Sequence, residues 1–272
     1  MKITALVENT SNNKNLKSKH GLSIYIETQQ HKVLFDTGSD DTFICNASKL
    51  GIDLAQVDTL VISHGHFDHA GALSSFLKLN SKAKIYIHRL AFEAHYIKVL
   101  FAKINIGLDK ELIGNSRFIL TDGNLKIDDE LFILSDVEGQ FLVKSNSVLL
   151  KRTKNAYVQD DFSHEQNLIV SSKGKTALFT GCSDKGISNI INAAKEYQPE
   201  IQAVFGGFHL YNPATKSTEP ADVLQCLADE LSMHNATFHT GHCTGLKALV
   251  AMRNIMGNDK VKHFITGTLV EL

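Results

Sequence analysis

The chain has no tryptophan, only three prolines and only four cysteines in 272 residues. Three prolines leave little room for an extended tether, and no low-complexity linker or internal repeat is present. Cys45, Cys182, Cys226 and Cys243 are scattered without CxxC spacing, which argues against a disulfide framework or a zinc ribbon and for free thiols. No apolar run approaches the roughly 18 residues of a membrane span. The N-terminus, MKITALVENTSNN, turns polar too soon for a signal peptide. A cytoplasmic location is expected. Charge of one sign is also missing: 28 basic residues face 29 acidic ones, so nothing announces a nucleic acid or an anionic membrane as partner. The expected partner is a small-molecule substrate, and the oligomeric state stays open.

What is present is a 43% apolar composition, enough for one substantial folded body. In the first half KITALVEN, LSIYIET, KVLFDTG, TLVIS and AKIYIH read as strands, with TFICNASKLGIDLAQV and HAGALSSFLKLN helical between them. The last third alternates again, from the helix ISNIINAAKEYQ to a single closing strand VKHFITGTLVEL. Both halves run strand then helix, which favours two sheets with helices outside. Residues 90–115 are apolar and irregular with no obvious hairpin partner, and read as an insertion or lid carrying Phe92, Tyr96 and Phe101.

Three of the 13 histidines crowd into SHGHFDHAG, at a strand-to-helix turn. In an extended turn His64 and His66 project to one side at spacing two, while Asp68 and His69 follow one turn later toward a second position. Imidazole and carboxylate suit zinc, iron and manganese, so HxHxDH is a natural holder for two ions. GCSDKG is not a GxSxG elbow, and no GxxxxGK[ST] loop exists for a nucleoside triphosphate.

SHGHFDHAG and FDTG at Phe35–Gly38 resemble the signature motifs of the metallo-β-lactamase fold superfamily. HGLSIYIE, HEQNLIV, TGCSD, FGGFHL and HCTG are similar to its branch of dihydropterin-aminobenzene-phosphate synthase-like proteins. The resemblance implies an α/β (α+β) fold, a four-layer αββα sandwich formed as a single domain over 1–272, with a dinuclear metal site at one edge. It implies His64, His66 and His164 around a first ion and Asp68 and His69 around a second, with Asp68 also catalytic. Cys182 stands where the superfamily expects a bridging aspartate, and is either a thiolate ligand or a buried apolar residue. Asp184 either supplies a ligand, orients one or caps the following helix. His209 and His242 compete for the last ligand. His242 fits that place better, leaving His209 as a catalytic proton donor or substrate grip. Asp36 would orient a ligating imidazole. His31 sits in an expected turn, His88, His95, His234 and His263 lack ligand-type neighbours in the sequence, and His20 and His239 are unassigned.

The implied cofactors are two divalent metal ions, zinc first and manganese or iron next. The implied activity is a metal-dependent hydrolase acting on a small phosphoester, lactone or ester. The alternatives are a pterin-related transferase, a di-iron oxidoreductase and a non-catalytic metal-binding module. A basic run, Lys144, Lys151, Arg152 and Lys154, precedes His164 and would favour the transferase if it faced the site.

Overall fold

The computed structural model describes residues 1–139 and 145–272. Seven strands form a first sheet in the order Leu269–Glu271, Lys2–Val7, Ser23–Glu27, Lys32–Phe35, Thr59–Ile62, Lys84–His88 and Phe118–Thr121. A second seven-stranded sheet runs Val261–His263, Thr237–Thr240, Ala203–Gly206, Lys175–Phe179, Asn167–Ser172, Leu131–Leu134 and Leu125–Lys126. The central strands KVLF, TLVI and AVFG are almost wholly buried, as expected of strands covered on both faces.

Alternation along these strands builds the layers, because successive side chains point to opposite faces. Phe35, Val61, Phe179 and Phe205 face inward into a core shared by the two sheets. Leu34, Leu60 and Ile62 face outward against Phe43, Leu73 and Phe76, from the helices Thr42–Lys49 and Leu73–Leu79. Leu178, Val204 and Phe238 face outward on the other side against Ile190, Leu227 and Met252, from the helices Ile187–Tyr197, Ala221–Ser232 and Leu246–Met256. The result is the four-layer αββα sandwich.

Two expectations are corrected. VKHFITGTLVEL is two strands rather than one: Val261–His263 pairs in the second sheet, the chain turns at Gly267 with φ 87°, and Leu269–Glu271 pairs in the first. The segment read as irregular contains the hairpin His95–Val99 and Ala102–Asn105, which joins Leu149–Arg152 and Tyr157–Gln159 in a separate four-stranded sheet. Its aromatic residues diverge. Phe92 packs into the core on Phe118, Tyr96 packs on Tyr157, and Phe101 is fully exposed at the hairpin tip.

Candidate metal centre

The HxHxDH loop leaves the carboxyl end of Thr59–Ile62, beside FDTG at the end of Lys32–Phe35. Across the sandwich, GCSD, GGFH and GHC leave the carboxyl ends of three adjacent parallel strands, Lys175–Phe179, Ala203–Gly206 and Thr237–Thr240. Parallel strands open their loops on one edge, where α/β sheets place ligands. Two glycines allow the close approach. A Cβ on Gly65 would strike the backbone of Ala91, and one on Gly181 would strike Ser63 and His64.

The structure brings together His64, His66, Asp68, His69, His164, Cys182, His209 and His242. The rings of His64 and His66 lie 4.5 Å apart, and those of His66 and His164 5.4 Å apart. Their Nε2 atoms, with that of His64, are buried without a hydrogen-bond partner among the described residues. His69 Nε2 meets His242 Nε2 at 3.1 Å and Cys182 Sγ at 3.3 Å. Asp68 Oδ2 lies 3.3 Å from His242 Nε2 and 3.2 Å from His20 Nε2. His242 therefore stands within the cluster of Asp68 and His69. His209 lies at the rim of the group, beside Cys182, with its Nδ1 2.5 Å from Asp184 Oδ1.

Supporting bonds fix the imidazoles. Asp36 accepts from Ser63 N–H and from the Ser63 hydroxyl, both at 2.7 Å, and from His69 Nδ1 at 2.7 Å. With Nδ1 held there, His69 turns its Nε2 toward the cluster. His242 donates its backbone N–H to Glu8 Oε1, and its Nδ1 faces Asn9 Oδ1 at 3.1 Å. Of the eight described non-glycine residues with positive φ, Asp36, Phe162, Ser183, His209 and His242 lie in these loops. Such conformations cost about 1–3 kcal/mol each and gather at functional sites.

Charge follows the burial. Burial, reinforced by the other imidazoles, holds His64 well below its ordinary range, and burial takes His66 to about 3. Both are neutral, as ligands must be. Burial works against charge on His69 and Asp68 as well, but their mutual attraction outweighs it, raising His69 and holding Asp68 well below the usual carboxylate range. Burial likewise opposes a charged His209, yet Asp184 raises it to about 9. Burial pushes the Cys182 thiol up. Cys243 falls to about 6, because contact with Cys182 and the nearby His242 and His209 outweigh its burial.

Several participants were not foreseen. His95 is buried, with Nδ1 2.7 Å from Asp160 Oδ2, and its ring lies tilted against that of His164, 4.0 Å between centroids. Ligand atoms of His66, His95, Asp160 and His164 all lie within 4.8 Å of one another. Asp184 does not cap the following helix, whose N-cap is Gly186 without a side-chain cap. Instead it lies fully buried, with Oδ2 3.9 Å from His64 Nε2. Glu165 accepts the backbone N–H groups of Asp184 and Lys185, locking GCSDK to the His164 segment, and burial raises its carboxyl to about 8. The basic run does not converge on the cluster: Lys151 pairs with Asp161 at 2.6 Å and Arg152 covers the Tyr157 ring. Lys144 lies outside the described residues.

Residues 19–153 match the family model for the metallo-beta-lactamase superfamily. A crystal structure described as a metal-dependent hydrolase of the beta-lactamase superfamily is 29% identical, covers 100% of this chain and 99% of its own, and superposes with a TM-score of 0.83. An uncharacterized protein of Methanocaldococcus jannaschii is 27% identical over 93% of this chain and 94% of its own length. A second protein of that organism, named 7,8-dihydropterin-6-methyl-4-(beta-D-ribofuranosyl)-aminobenzene-5'-phosphate synthase, is 27% identical over 85% of this chain and 83% of its own.

Proposed function

We propose that the chain, whose residues 19–153 match the metallo-beta-lactamase superfamily model, is a metal-dependent hydrolase of that superfamily whose dinuclear site activates water against a small phosphoester, lactone or ester. The observation that carries this is the buried set of Nε2 atoms on His64, His66 and His164 with no hydrogen-bond partner among the described residues. Leaving a buried polar atom unpaired costs about 1–3 kcal/mol, and a cation is one partner that His64 and His66 can share; His164, whose Nδ1 accepts the Gly65 backbone N–H, stands beside them. The donor set fits such an ion. His64, His66 and His164 would hold the first, and Asp68, His69 and His242 the second, with Cys182 completing it.

When bound, two such ions lower the pKa of a shared water toward neutrality and polarise a carbonyl or phosphoryl oxygen. Asp36 fixes the tautomer of His69, and Asp68, held ionised, accepts and orients the hydrogen of the attacking water. His209, kept protonated by Asp184, donates a proton to the leaving oxygen. The small sheet, through His95, walls the site beside His66 and His164.

The test combines metal content with turnover of p-nitrophenyl phosphodiesters and of lactones, in wild type and His66→Ala. Metal-dependent turnover lost in the variant is the expected result. Metal-free turnover that survives His66→Ala would overturn it.

A second activity is favoured by one observation, the relative named as a synthase, which aligns with most of this chain. In that case the same groups would hold the phosphate or diphosphate that departs from an activated pterin as the pterin is joined to an aminobenzene ribosyl phosphate. Phosphate or diphosphate release that requires the aminobenzene co-substrate would select it over hydrolysis.

A further inference from the structure

Beside the histidine cluster lies a second donor set of different chemistry. Ligand atoms of Cys182, His209 and Cys243 all lie within 4.8 Å of one another. Each comes from the loop that follows one of three neighbouring parallel strands, Lys175–Phe179, Ala203–Gly206 and Thr237–Thr240. The second sheet thus supplies all three from adjacent positions along its edge.

Four features suit this set to an ion. Asp184 Oδ1 stands 2.5 Å from His209 Nδ1, the carboxylate–imidazole arrangement that turns the other ring nitrogen toward a metal. The backbone N–H of His209 donates to Cys243 Sγ at 3.3 Å, a bond that favours a thiolate sulfur. Gly207 makes room for that sulfur, since a Cβ there would collide with it. Cys243 is part-exposed while Cys182 is buried, so an ion has a way in.

We propose that Cys182, Cys243 and His209 form a site for a thiophilic cation such as zinc or monovalent copper, distinct from the histidine cluster and sharing only Cys182 with it. Two sulfurs and one imidazole are a soft set, whereas the histidine and carboxylate donors beside them are harder. The binding claim stands by itself. Its consequence rests on the hydrolytic assignment: an ion here occupies His209 and Cys182 and so inhibits the enzyme by removing its proton donor.

The test is anaerobic cadmium titration of the reduced, full-length protein, followed by the ultraviolet sulfur-to-cadmium charge-transfer band. Wild type is expected to show a band that falls by about half in Cys243→Ser, as two thiolates become one, with one fewer ion bound. His209→Gln, which keeps both sulfurs and guards against a misfolded cysteine variant, is expected to weaken binding of that same ion at least about tenfold. A band and stoichiometry unchanged in Cys243→Ser would overturn the site. So would a band lost only in Cys182→Ser, since that cysteine would then serve the histidine cluster alone. Turnover that survives the loss of the histidine-bound ions in His66→Ala, with the thiolate band intact, would contradict the proposed hydrolase without touching this site.

Discussion

Asp36 and His69 are joined by a 2.7 Å contact between Oδ2 and Nδ1, both side chains completely buried at the point where the first sheet delivers its loops. Asp36 has φ 61° and accepts two further bonds from Ser63, so its carboxylate cannot swing away. Its removal frees the His69 ring to rotate and change tautomer. Asp36→Ala is therefore expected to weaken the more loosely held ion about 10- to 100-fold, measured by competition with a chromophoric chelator. Unchanged affinity would show that His69 needs no such support.

His209 acts on the leaving group in this account, not on the resident ions. His209→Gln is expected to lower kcat by roughly 10²–10⁴-fold, leaving KM and the metal content of the histidine cluster nearly unchanged. A variant that instead loses metal from that cluster would make His209 a ligand there.

Gly65 lies against the backbone of Ala91 with no space for a methyl group. Gly65→Ala is expected to cost about 1–3 kcal/mol in urea unfolding, because the turn carrying His64 and His66 must move. Gly51 has open space around it but φ 72°, so Gly51→Ala carries backbone strain alone and is the matched control. A Gly65→Ala protein as stable as wild type would show that close packing at Gly65 is unimportant.

Away from the metal edge, His31 spans the two sheets, with Nδ1 2.9 Å from Asp58 and Nε2 2.9 Å from Asp128. Burial opposes its charge, but the two carboxylates outweigh it and raise its pKa above the ordinary 6.5. A raised folded pKa means that the charged bridge contributes fully below that ordinary value and is lost as pH rises through the folded one. The stability difference between wild type and His31→Gln is expected to be larger at about pH 5.5 than at about pH 8.5. The opposite order in urea titrations would refute the assignment.

The HxHxDH motif was legible because its residues are neighbours in sequence and its turn is fixed by the strand before it. The αββα layering was legible because KVLF, TLVI and AVFG read as buried strands. His95 and Asp160 were not, because they are 65 positions apart and meet only through the small sheet. The pairs DD and SH flanking Phe162 were the available signal, since short polar residues bracket the turn that aims both Asp160 and His164. Asp184 was open to a capping reading because it precedes a helical segment, yet Gly186, with φ 87°, starts the helix and leaves the carboxylate to face His209. The closing strand was misjudged because an apolar alternation does not reveal that a turn at Gly267 sends its two halves to different sheets.

The most direct measurement is the metal content per chain of protein purified without chelator, in wild type, His66→Ala and His242→Ala. The account predicts two ions at the histidine cluster of the wild type, with at least one lost in either variant. Wild-type protein that holds no transition metal, or variants that retain the full wild-type complement, would contradict it.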